Sequence, residues 1–306
     1  MGRNHGCFGR IGCLLVALAG VGLLEGCFGG FCVPPGPIAD FSKLYVTCYY
    51  GVADMLVVAN TDGTGATSYG TLGGLLAGPR GIALDSSAGE MYIANYPSDS
   101  IIKANLDGTN PSDLGKLTGN DDRTSGVALD IHDNRMYVLS ATSSNSVSRG
   151  NLDGTGGTSL GVTGTFYPQG IAVDVAGGKL YVTSNNANVT VANLDGSNSQ
   201  DTIALPGTAT GFRGIALDVA AGKMYVTNMA DDTVIVANLD GTDPTTLSVA
   251  TLDAPLGIAL DLGAGLMYIA NYDGDSVTVA NLDGTGAVEL FLGGLLHTPY
   301  GIALAP

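Results

Sequence analysis

Residues 211–241 read GFRGIALDVAAGKMYVTNMADDTVIVANLDG, and every part of this stretch recurs along the chain. Each copy has a GIALD-like piece, a turn, an apolar run that contains a tyrosine, and a second apolar run that ends in Asp-Gly. The glycine that opens the first piece recurs in steps of 45, 44, 44, 43 and 44 residues, at Gly81, Gly126, Gly170, Gly214, Gly257 and Gly301. The chain is therefore an array of repeats.

Each repeat is predicted to form four short β-strands. Residues 214–218, 223–228 and 232–239 are rich in β-branched and aromatic side chains, and Asp-Gly after the third piece is a hairpin signal. Residues 245–252 are a weaker apolar run that supplies the outer strand. The period fits a propeller blade of roughly 40–45 residues. No helical period runs through the repeats, which argues against a helical solenoid.

The repeated residues resemble a known family. GIALD, GKMYVTN and ANLDGT are similar to the YWTD repeat of the low-density-lipoprotein-receptor type, whose units form six-bladed β-propellers, and the YVTN at 225–228 resembles propeller repeats of microbial surface proteins. The resemblance covers residues 42–304. The chain departs from the pattern because it contains no tryptophan, so Val or Ile follows each motif tyrosine. The resemblance implies an all-β, six-bladed propeller of four-stranded antiparallel blades.

The phase of the repeats predicts how the ring closes. The first repeat starts with a second strand, residues 43–47, and the last ends with a first strand, residues 301–304. We expect these two strands to pair and to complete one blade. Closure of this kind hides edge strands that would otherwise promote aggregation.

Composition and charge argue against two classes of binding function. Charged residues make up 13% of the chain, and the net charge is −16. A nucleic-acid interface needs basic surface, and so does a polybasic contact with a membrane. Both are therefore unexpected here. We expect one propeller domain, residues 41–306, that is monomeric and needs no cofactor.

The N-terminal segment predicts export. Residues 1–26 have a positively charged start and an apolar run at 11–24 that is short for a bilayer span. The LEGC sequence that ends at Cys27 resembles a bacterial lipobox, which implies lipidation of Cys27. Ordinary cleavage and an uncleaved anchor are the alternatives. The expected location is the bacterial cell envelope or the extracellular space, with the lipid anchor as the sole membrane contact.

A tether is predicted between the signal and the propeller. Residues 27–40 are rich in Gly and Pro, as connecting segments are. If Cys27 is lipidated, Cys32 and Cys48 remain as a pair in an exported protein. A Cys32–Cys48 disulfide would join the tether to the first blade. Two separate thiols are the alternative.

Aromatic residues outside the repeated core map to one face of the predicted ring. Because strands alternate in direction, the loops between strands four and one and between strands two and three share a face, which we call the top face. The aromatics that map there are Tyr49, Tyr50, Tyr96, Phe166, Tyr167, Phe212, Tyr272 and Tyr300. Exposed aromatics on one face are typical of a binding surface. The alternative is that these rings pack against neighbouring loops.

The predicted ring has a central channel, and we call the glycines that open the repeats the channel glycines. The residue before each channel glycine is predicted to line the top mouth of this channel. These residues are Arg80, Ser125, Gln169, Arg213, Leu256 and Tyr300. Arg80 and Arg213 are three blades apart, so they should face each other, and Arg123 lies nearby. Arginines on an acidic protein favour recognition of a carboxylate or another anion. In the alternative, each pairs with a loop acid such as Asp121, Asp122, Asp232 or Asp253.

Other chemistry-bearing residues have structural interpretations. The motif tyrosines should pack between blades, and the aspartates of GIALD and NLDG should cap turns through backbone N–H bonds. Asp273 with Asp275, or Asp231 with Asp232, offer too few oxygens for Ca²⁺, so no metal site is predicted. His132 and His297 belong to loops on opposite faces and support no metal site or catalytic triad.

Three functions remain. The first is a non-catalytic recognition module that binds a protein, peptide or glycan on the top face through Arg80, Arg123, Gln169, Arg213 and the nearby aromatics. The second is an enzyme that resembles lactonase-type propellers, which hold a channel Ca²⁺, or lyase-type propellers, which use His and Glu. The third is a structural surface-layer component, as the YVTN resemblance implies. Fold likeness alone is a weak basis for choosing among them.

Overall fold

The repeats fold as strands in the order that the sequence predicts. The computed structural model describes residues 42–49, 54–118, 123–141, 146–163, 165, 167–199, 201–208 and 210–306. The strands of the first half of the chain are β1 (Lys43–Cys48), β2 (Met55–Asn60), β3 (Thr67–Gly70), β4 (Pro79–Asp85), β5 (Glu90–Asn95), β6 (Ser100–Asn105), β7 (Ser112–Asp113), β8 (Thr124–Asp130), β9 (Arg135–Ser140), β10 (Ser146–Asn151) and β11 (Thr158–Ser159). Those of the second half are β12 (Pro168–Asp174), β13 (Lys179–Ser184), β14 (Asn188–Asn193), β15 (Asp201–Ala204), β16 (Phe212–Asp218), β17 (Lys223–Asn228), β18 (Thr233–Asn238), β19 (Thr245–Leu247), β20 (Pro255–Asp261), β21 (Leu266–Asn271), β22 (Ser276–Asn281), β23 (Val288–Leu290) and β24 (Pro299–Ala305).

The strands form six four-stranded antiparallel sheets, which are the blades of a closed ring. Blade 1 is β24-β1-β2-β3, and blades 2 to 6 are the successive groups of four from β4 to β23. The innermost strands contact one another around the ring, in the order β4, β8, β12, β16, β20, β24 and back to β4. The predicted all-β, six-bladed propeller is confirmed.

Blade 1 closes the ring as predicted. Strand β24 pairs antiparallel with β1, with Leu44 opposite Leu304 and Val46 opposite Ile302. The observed strands extend the predicted 43–47 and 301–304 pairing by a residue or two at their ends. One sheet therefore joins the two ends of the repeat array.

The second strand of each blade is buried on both sides. In β17 and β21 every residue after the first is buried. Both faces of a blade pack against neighbouring blades, which explains why these strands are continuous apolar runs without alternation. The buried residues that the structure describes form six clusters, which fill the spaces between neighbouring blades.

The channel glycines are required by the approach of neighbouring inner strands. A Cβ on Gly257 would lie 2.6 Å from the carbonyl oxygen of Tyr300, and a Cβ on Gly81 would lie 2.8 Å from Cα of Gly126. Real side chains do not tolerate such distances to backbone atoms. The repeated glycine therefore lets six strands meet around a narrow axis.

The outer strands are short and exposed. The predicted outer strand at 245–252 forms only as Thr245–Leu247, and β7 and β11 have two residues each. A strand at the rim packs on one side only, so it gains less from burial. In the part of the chain that the structure describes, no helix has the length and apolar character needed to span a membrane.

Candidate functional site

A bulge at the start of each inner strand places one side chain at the top mouth of the channel. In blade 2, Pro79 pairs with Asn95 and Ile82 with Ile93, so Arg80 and Gly81 together oppose Ala94. The same shift of register occurs in the other blades. A bulge of this kind turns a side chain out of the ladder. The residue before each channel glycine is thereby turned towards the axis, where five of the six line the mouth and Ser125, which is buried, lines only the channel below.

A second set of positions surrounds the first. It consists of the residue that follows each second strand, four positions after the motif tyrosine: Tyr49, Tyr96, Ala141, Asn185, Met229 and Tyr272. All six line a cavity of about 420 Å³ above the channel. The channel itself has a volume of about 90 Å³ and is lined by glycines, by Ile or Val side chains, and by the residues that precede five of the glycines: Ser125, Gln169, Arg213, Leu256 and Tyr300. We call the larger space the mouth cavity.

Eight of the nine residues predicted for ligand binding lie around the mouth cavity. They are Arg80, Tyr96, Arg123, Tyr167, Gln169, Arg213, Tyr272 and Tyr300. The structure therefore brings together residues from all six blades at one opening. Sequence reasoning did not assign Asn185 or Met229 to it, although their constant offset from the motif tyrosine was a usable signal.

The prediction that Phe212 is an exposed aromatic of this face is wrong. Its side chain is fully buried, in the cluster between blades 4 and 5. Phe212 is the first residue of β16, and the equivalent position is a buried Pro or Thr in the other blades, as at Pro79 and Thr124. The position faces the core before the bulge begins, so an aromatic ring here packs inside.

Arg80 lies within a group of tyrosines. Its guanidinium carbon is 3.3 Å from the ring centroid of Tyr96, 4.9 Å from that of Tyr300 and 5.3 Å from that of Tyr49. Tyr49 and Tyr96 meet edge to face, with centroids 6.3 Å apart. Stacking on aromatic faces holds a guanidinium in place while its N–H edge stays available. Among the described residues, Nε of Arg80 is buried and has no hydrogen-bond partner.

Arg213 is held by hydrogen bonds. Its Nη1 donates to Oδ1 of Asn185 at 3.1 Å and to the carbonyl oxygens of Thr210 and Phe212 at 3.1 and 3.0 Å. Burial lowers the pKa of Arg213; nearby Tyr300 opposes this shift, and the positive charge of Arg80 adds to it. The guanidinium stays charged at neutral pH because its ordinary pKa is so high. Two arginines therefore repel each other across one opening.

Tyr300 and Gln169 form the other diagonal of the mouth. The Tyr300 hydroxyl donates to Oε1 of Gln169 at 3.4 Å, although the two residues come from opposite blades. Nε2 of Gln169 donates to the carbonyl oxygen of Tyr167 at 2.9 Å. Both side chains line the mouth cavity and the channel below it. This contact forms the floor of the mouth cavity.

Carboxylates of the top loops bond to backbone rather than to the two arginines. Asp54, Asp232 and Asp275 accept the N–H of Gly78, Ala254 and Thr298 at 2.8, 2.9 and 2.6 Å, and Asp99 accepts that of Arg123. In each case the carboxylate of one blade holds the loop that enters the next. Within the described ranges no carboxylate forms an ion pair with Arg80 or Arg213. Asp121 and Asp122 lie outside those ranges.

Threonines of the second strands fix the backbone at the arginine positions. Thr47 donates to the carbonyl oxygen of Arg80, and Thr183 donates to that of Arg213. The same hydroxyls accept the N–H of the channel glycine of their own blade, at 2.9 Å for both. Each arginine is thereby anchored to the preceding blade, and its Cα has a defined position at the mouth.

The bottom face confirms the structural interpretation of the repeated acids. The GIALD aspartates accept backbone N–H bonds within their own turns, as Asp174 does from Gly177 at 2.7 Å and Asp261 from Ala264 at 2.9 Å. The Asp-Gly aspartates accept bonds from the hydroxyl and N–H of the residue two positions later, as at Asp240. These bonds lower the pKa of the turn aspartates Asp62, Asp107, Asp153, Asp195, Asp240 and Asp283.

The motif tyrosines are core residues, as predicted. All six are at most 6% exposed and lie between blades: Tyr45, Tyr92, Tyr137, Tyr181, Tyr225 and Tyr268. Burial raises the pKa of Tyr45 to about 12, and its hydroxyl donates to the carbonyl oxygen of Leu106 at 3.1 Å. The phenol group therefore bonds one blade to the next.

The remaining polar groups give no metal centre within the described ranges. No group of three or more His, Cys, Asp or Glu side chains there is placed to hold a metal ion. Asp231 accepts bonds from Thr208 and from Nδ2 of Asn228, so it is already satisfied by its own loops. His132 lies at the surface beside Asp133.

The cysteine predictions fall mostly outside the described residues. Cys27 and Cys32 lie there, together with the predicted export signal (1–26) and the whole of the predicted tether (27–40). Cys48 is fully buried at the end of β1. Lipidation of Cys27 and the Cys32–Cys48 disulfide stay predictions.

Comparison of the sequence with family profiles and with curated proteins gives no match. Among solved structures, the chain is similar to one of a nidogen/laminin complex, with a TM-score of 0.72 and 19% identity over 86% of this chain and 98% of that chain. It is also similar to two structures of virginiamycin B lyase from Staphylococcus aureus, with TM-scores of 0.55 and 0.54 and 17% identity over 69% of each chain.

These comparisons support the fold and its predicted resemblance to YWTD-type propellers. Fold and site together define a six-bladed β-propeller with an arginine- and tyrosine-lined mouth cavity. The identities are too low to transfer any residue's role to this chain. Function is therefore argued from the site itself.

Proposed function

We propose that this protein is an exported, lipid-anchored recognition module that binds a protein, peptide or glycan ligand at the mouth cavity without catalysing a reaction. One observation carries the proposal. Arg80 and Arg213 face each other across the mouth cavity, and neither forms an ion pair with a carboxylate of the described residues. On a chain with a net charge of −16, two partly buried cations without such a partner favour a ligand that supplies the missing charge.

The distribution of residue types supports a binding surface. Tyrosines and arginines are the side chains that binding interfaces enrich, and most of those that the structure describes outside the repeat motif lie at this opening. The positions that hold them are the ones at which the repeats differ from one another. Their backbone is fixed by the bulges and by Thr47 and Thr183, so the surface is organised before any ligand arrives.

The nidogen/laminin structure supports the choice of a protein ligand. It is the structure of a complex, and its fold extends over 86% of this chain. A ring of this kind can therefore serve as an interaction module. With a sequence identity of 19%, the contact residues of this chain are inferred from its own site and not from that structure.

Site-specific photo-cross-linking of the full-length protein tests the proposal. A cross-linking residue would replace Tyr167 on the top face or Val219 on the bottom face, and these two side chains are similarly exposed, at 38% and 41%. We expect the top-face probe to capture a defined partner from the native envelope and the bottom-face probe to capture none.

The double variant Arg80→Ala with Arg213→Ala, in the top-face probe background, should lose that partner while its thermal unfolding stays cooperative. Equal capture from both faces, or capture that survives the double change, would show that the mouth cavity is not the binding site.

An enzyme is the second candidate, and the likeness to virginiamycin B lyase favours testing it. The channel is lined mainly by Ile82, Ile171, Ile258 and equivalent apolar side chains, and among the described residues Ser125, Gln169, Arg213 and Tyr300 are the ones that bring polar side chains to it. If the purified protein hydrolysed lactones or esters in a calcium-dependent way, or catalysed a lyase reaction, the enzyme would be favoured over the recognition module. Ordered arrays on cells would favour the structural surface-layer component.

Export and lipid anchoring are tested separately. We expect Cys27 to carry a lipid, so metabolic labelling with a fatty-acid analogue should mark the wild-type protein and not Cys27→Ser. Labelled protein should fractionate with the cell envelope. An unlabelled wild-type protein in the envelope would favour the uncleaved anchor, and release into the medium would favour ordinary cleavage.

A further inference from the structure

We infer that the mouth cavity takes the carboxylate of an acidic side chain from a protein partner, and that Arg80 and Arg213 hold it from opposite sides above the Tyr300–Gln169 contact. This inference rests on the proposed function and narrows it to one ligand chemistry. It also assigns a different role to each arginine.

Arg80 fills the tyrosine group that an outside ligand would otherwise use. Its guanidinium lies over the rings of Tyr49, Tyr96 and Tyr300, with the nearest centroid at 3.3 Å. An external ammonium group or a sugar ring that needs a free aromatic face would have to displace it. The tyrosine group therefore acts as a holder for Arg80 and does not itself select the ligand.

Stacking leaves the in-plane N–H groups of Arg80 as its reactive edge. Nε is buried and lacks a partner among the described residues. A buried donor without an acceptor is unfavourable, and a carboxylate in the guanidinium plane would remove that cost. The edge of Arg80 is thus prepared for an acceptor that comes from outside the chain.

Arg213 presents a complementary edge from the opposite blade. Its Nη1 is occupied by Asn185 and two carbonyl oxygens, which fix the orientation of the guanidinium. The hydrogen bonds that Arg213 makes to other described residues all come from Nη1. Arg80 and Arg213 repel each other, so one anion between them relieves the repulsion and bonds to both.

The walls of the mouth cavity favour a side-chain carboxylate over a free inorganic anion. Leu256 and Met229 line one side, and Leu256 is almost fully buried. An apolar wall next to two cations suits a carboxylate on a methylene stem, which can pack against it. The Tyr300–Gln169 contact below stops the group from passing into the channel, whose volume is only about 90 Å³.

A protein segment fits better than an acidic glycan. Arg80 covers the rings of Tyr49, Tyr96 and Tyr300, which are three of the five tyrosines around the mouth cavity. The opposite half of the opening presents Asn185, Gln169 and Ala141 beside Tyr167. The side-chain amides of Asn185 and Gln169 carry both donors and acceptors, which suits the backbone of an extended peptide. The acidic glycan is therefore an outcome of the test and not part of the inference.

NMR of the arginine Nε–H groups in the full-length protein tests the inference. The probes are a short glycine-flanked peptide with a central aspartate, the same peptide with asparagine, and glucuronate. Arg149 supplies the internal reference, because its Nε is also buried without a partner among the described residues but lies on the bottom face. We expect the aspartate peptide to shift the Arg80 and Arg213 signals to saturation and to leave Arg149 unchanged.

Each outcome decides a separate point. Equal shifts from the aspartate and asparagine peptides would show that a peptide binds at the mouth cavity, and would contradict the claim that a carboxylate is the group recognised. Stronger binding of glucuronate would overturn the protein partner. If the arginine signals do not move with any probe while photo-cross-linking still captures a partner, recognition stands and this inference fails.

Lysine variants keep the positive charge and remove the planar pair of N–H donors of the guanidinium, so they test whether that pair of donors is needed. Arg80→Lys and Arg213→Lys should each weaken binding of the aspartate peptide on the order of tenfold, because a lysine offers no planar pair of donors. Arg149→Lys, the matched change on the bottom face, should leave the affinity unchanged. Wild-type affinity in both mouth variants would contradict the assigned roles, and thermal unfolding of each variant controls for the fold.

Discussion

At the bottom face, every Asp-Gly turn carries the same aspartate, whereas at the top mouth the six positions before the channel glycines carry Arg, Ser, Gln, Leu or Tyr. Both sets sit at constant places in the repeat. The bottom aspartates each accept bonds from their own turn, as Asp283 does from Thr285. Five of the six top residues reach into one shared cavity, and the sixth, Ser125, is buried and lines only the channel below it. A repeated residue therefore serves the blade, and a varied residue at a repeated position serves the whole ring.

Two features of the top face limit this distinction between repeated and varied residues. The loop acids Asp54, Asp99, Asp232 and Asp275 recur from blade to blade and bond to backbone, so they belong to the fold although they lie beside the mouth. Phe212 differs from its equivalents and yet is buried. Variation alone is thus not enough; the side chain must also point into the mouth.

The largest effect should come from Phe212, which tests whether a varied top-face position can be structural. Phe212→Ala removes a fully buried ring and should lower the free energy of unfolding by about 3–5 kcal/mol. Urea unfolding measures it. Tyr167→Ala, an exposed aromatic of the same face, should change the value by about 0.5 kcal/mol or less. A similar small loss for both would mean that Phe212 is not a core residue.

The second effect tests a repeated position of the inner ring. In Gly257→Ala the new Cβ would lie 2.6 Å from the carbonyl oxygen of Tyr300, so two inner strands must separate. We expect a loss of about 1–3 kcal/mol or more in urea unfolding.

Gly265→Ala in the same blade is the control for that change. Gly265 has a φ of +71° and open space around it, so its cost should be the backbone term alone, about 1 kcal/mol. If the two changes cost the same, close approach of the strands is not the reason for the channel glycines.

The third effect tests the bottom face through pH. The turn aspartates have pKa values lowered by the hydroxyl and N–H groups that bond them, as at Asp240 and Asp283. A lowered folded pKa means that the stabilisation is present above the unfolded value of about 3.9 and is lost as pH falls through the folded pKa. The urea concentration at the midpoint of unfolding should therefore decrease when the pH is lowered below about 4. Asp240→Asn with Asp283→Asn should make that fall shallower, and an unchanged slope would assign it to other groups.

The smallest effect on stability should come from the mouth arginines. Arg80→Gln removes the stacking on Tyr96 and should lower the free energy of unfolding by about 1 kcal/mol or less. The same change should abolish partner capture in the cross-linking experiment. A large loss of stability instead would place Arg80 among the residues that serve the fold.

Much of the mouth cavity could be predicted by counting along the repeat. The bulge position before each glycine and the ring closure by β24 follow from the phase of the motif, because each blade repeats one backbone path. The position four residues after each motif tyrosine could have been counted in the same way, and it would have added Asn185 and Met229. Phe212 was misplaced because counting places a Cα and does not tell which way its side chain packs.

The number of blades, the closure, the turn aspartates and the buried tyrosines follow from the amino-acid sequence alone, since they depend on local periodicity and on residues that each blade repeats. Three other features become visible in the folded ring. Arg80 stacks among tyrosines from two blades, Tyr300 reaches Gln169 from the opposite blade, and the loop carboxylates accept backbone N–H bonds. The physical reason is that these contacts join side chains that are distant in sequence. Their geometry depends on how six blades pack around one axis.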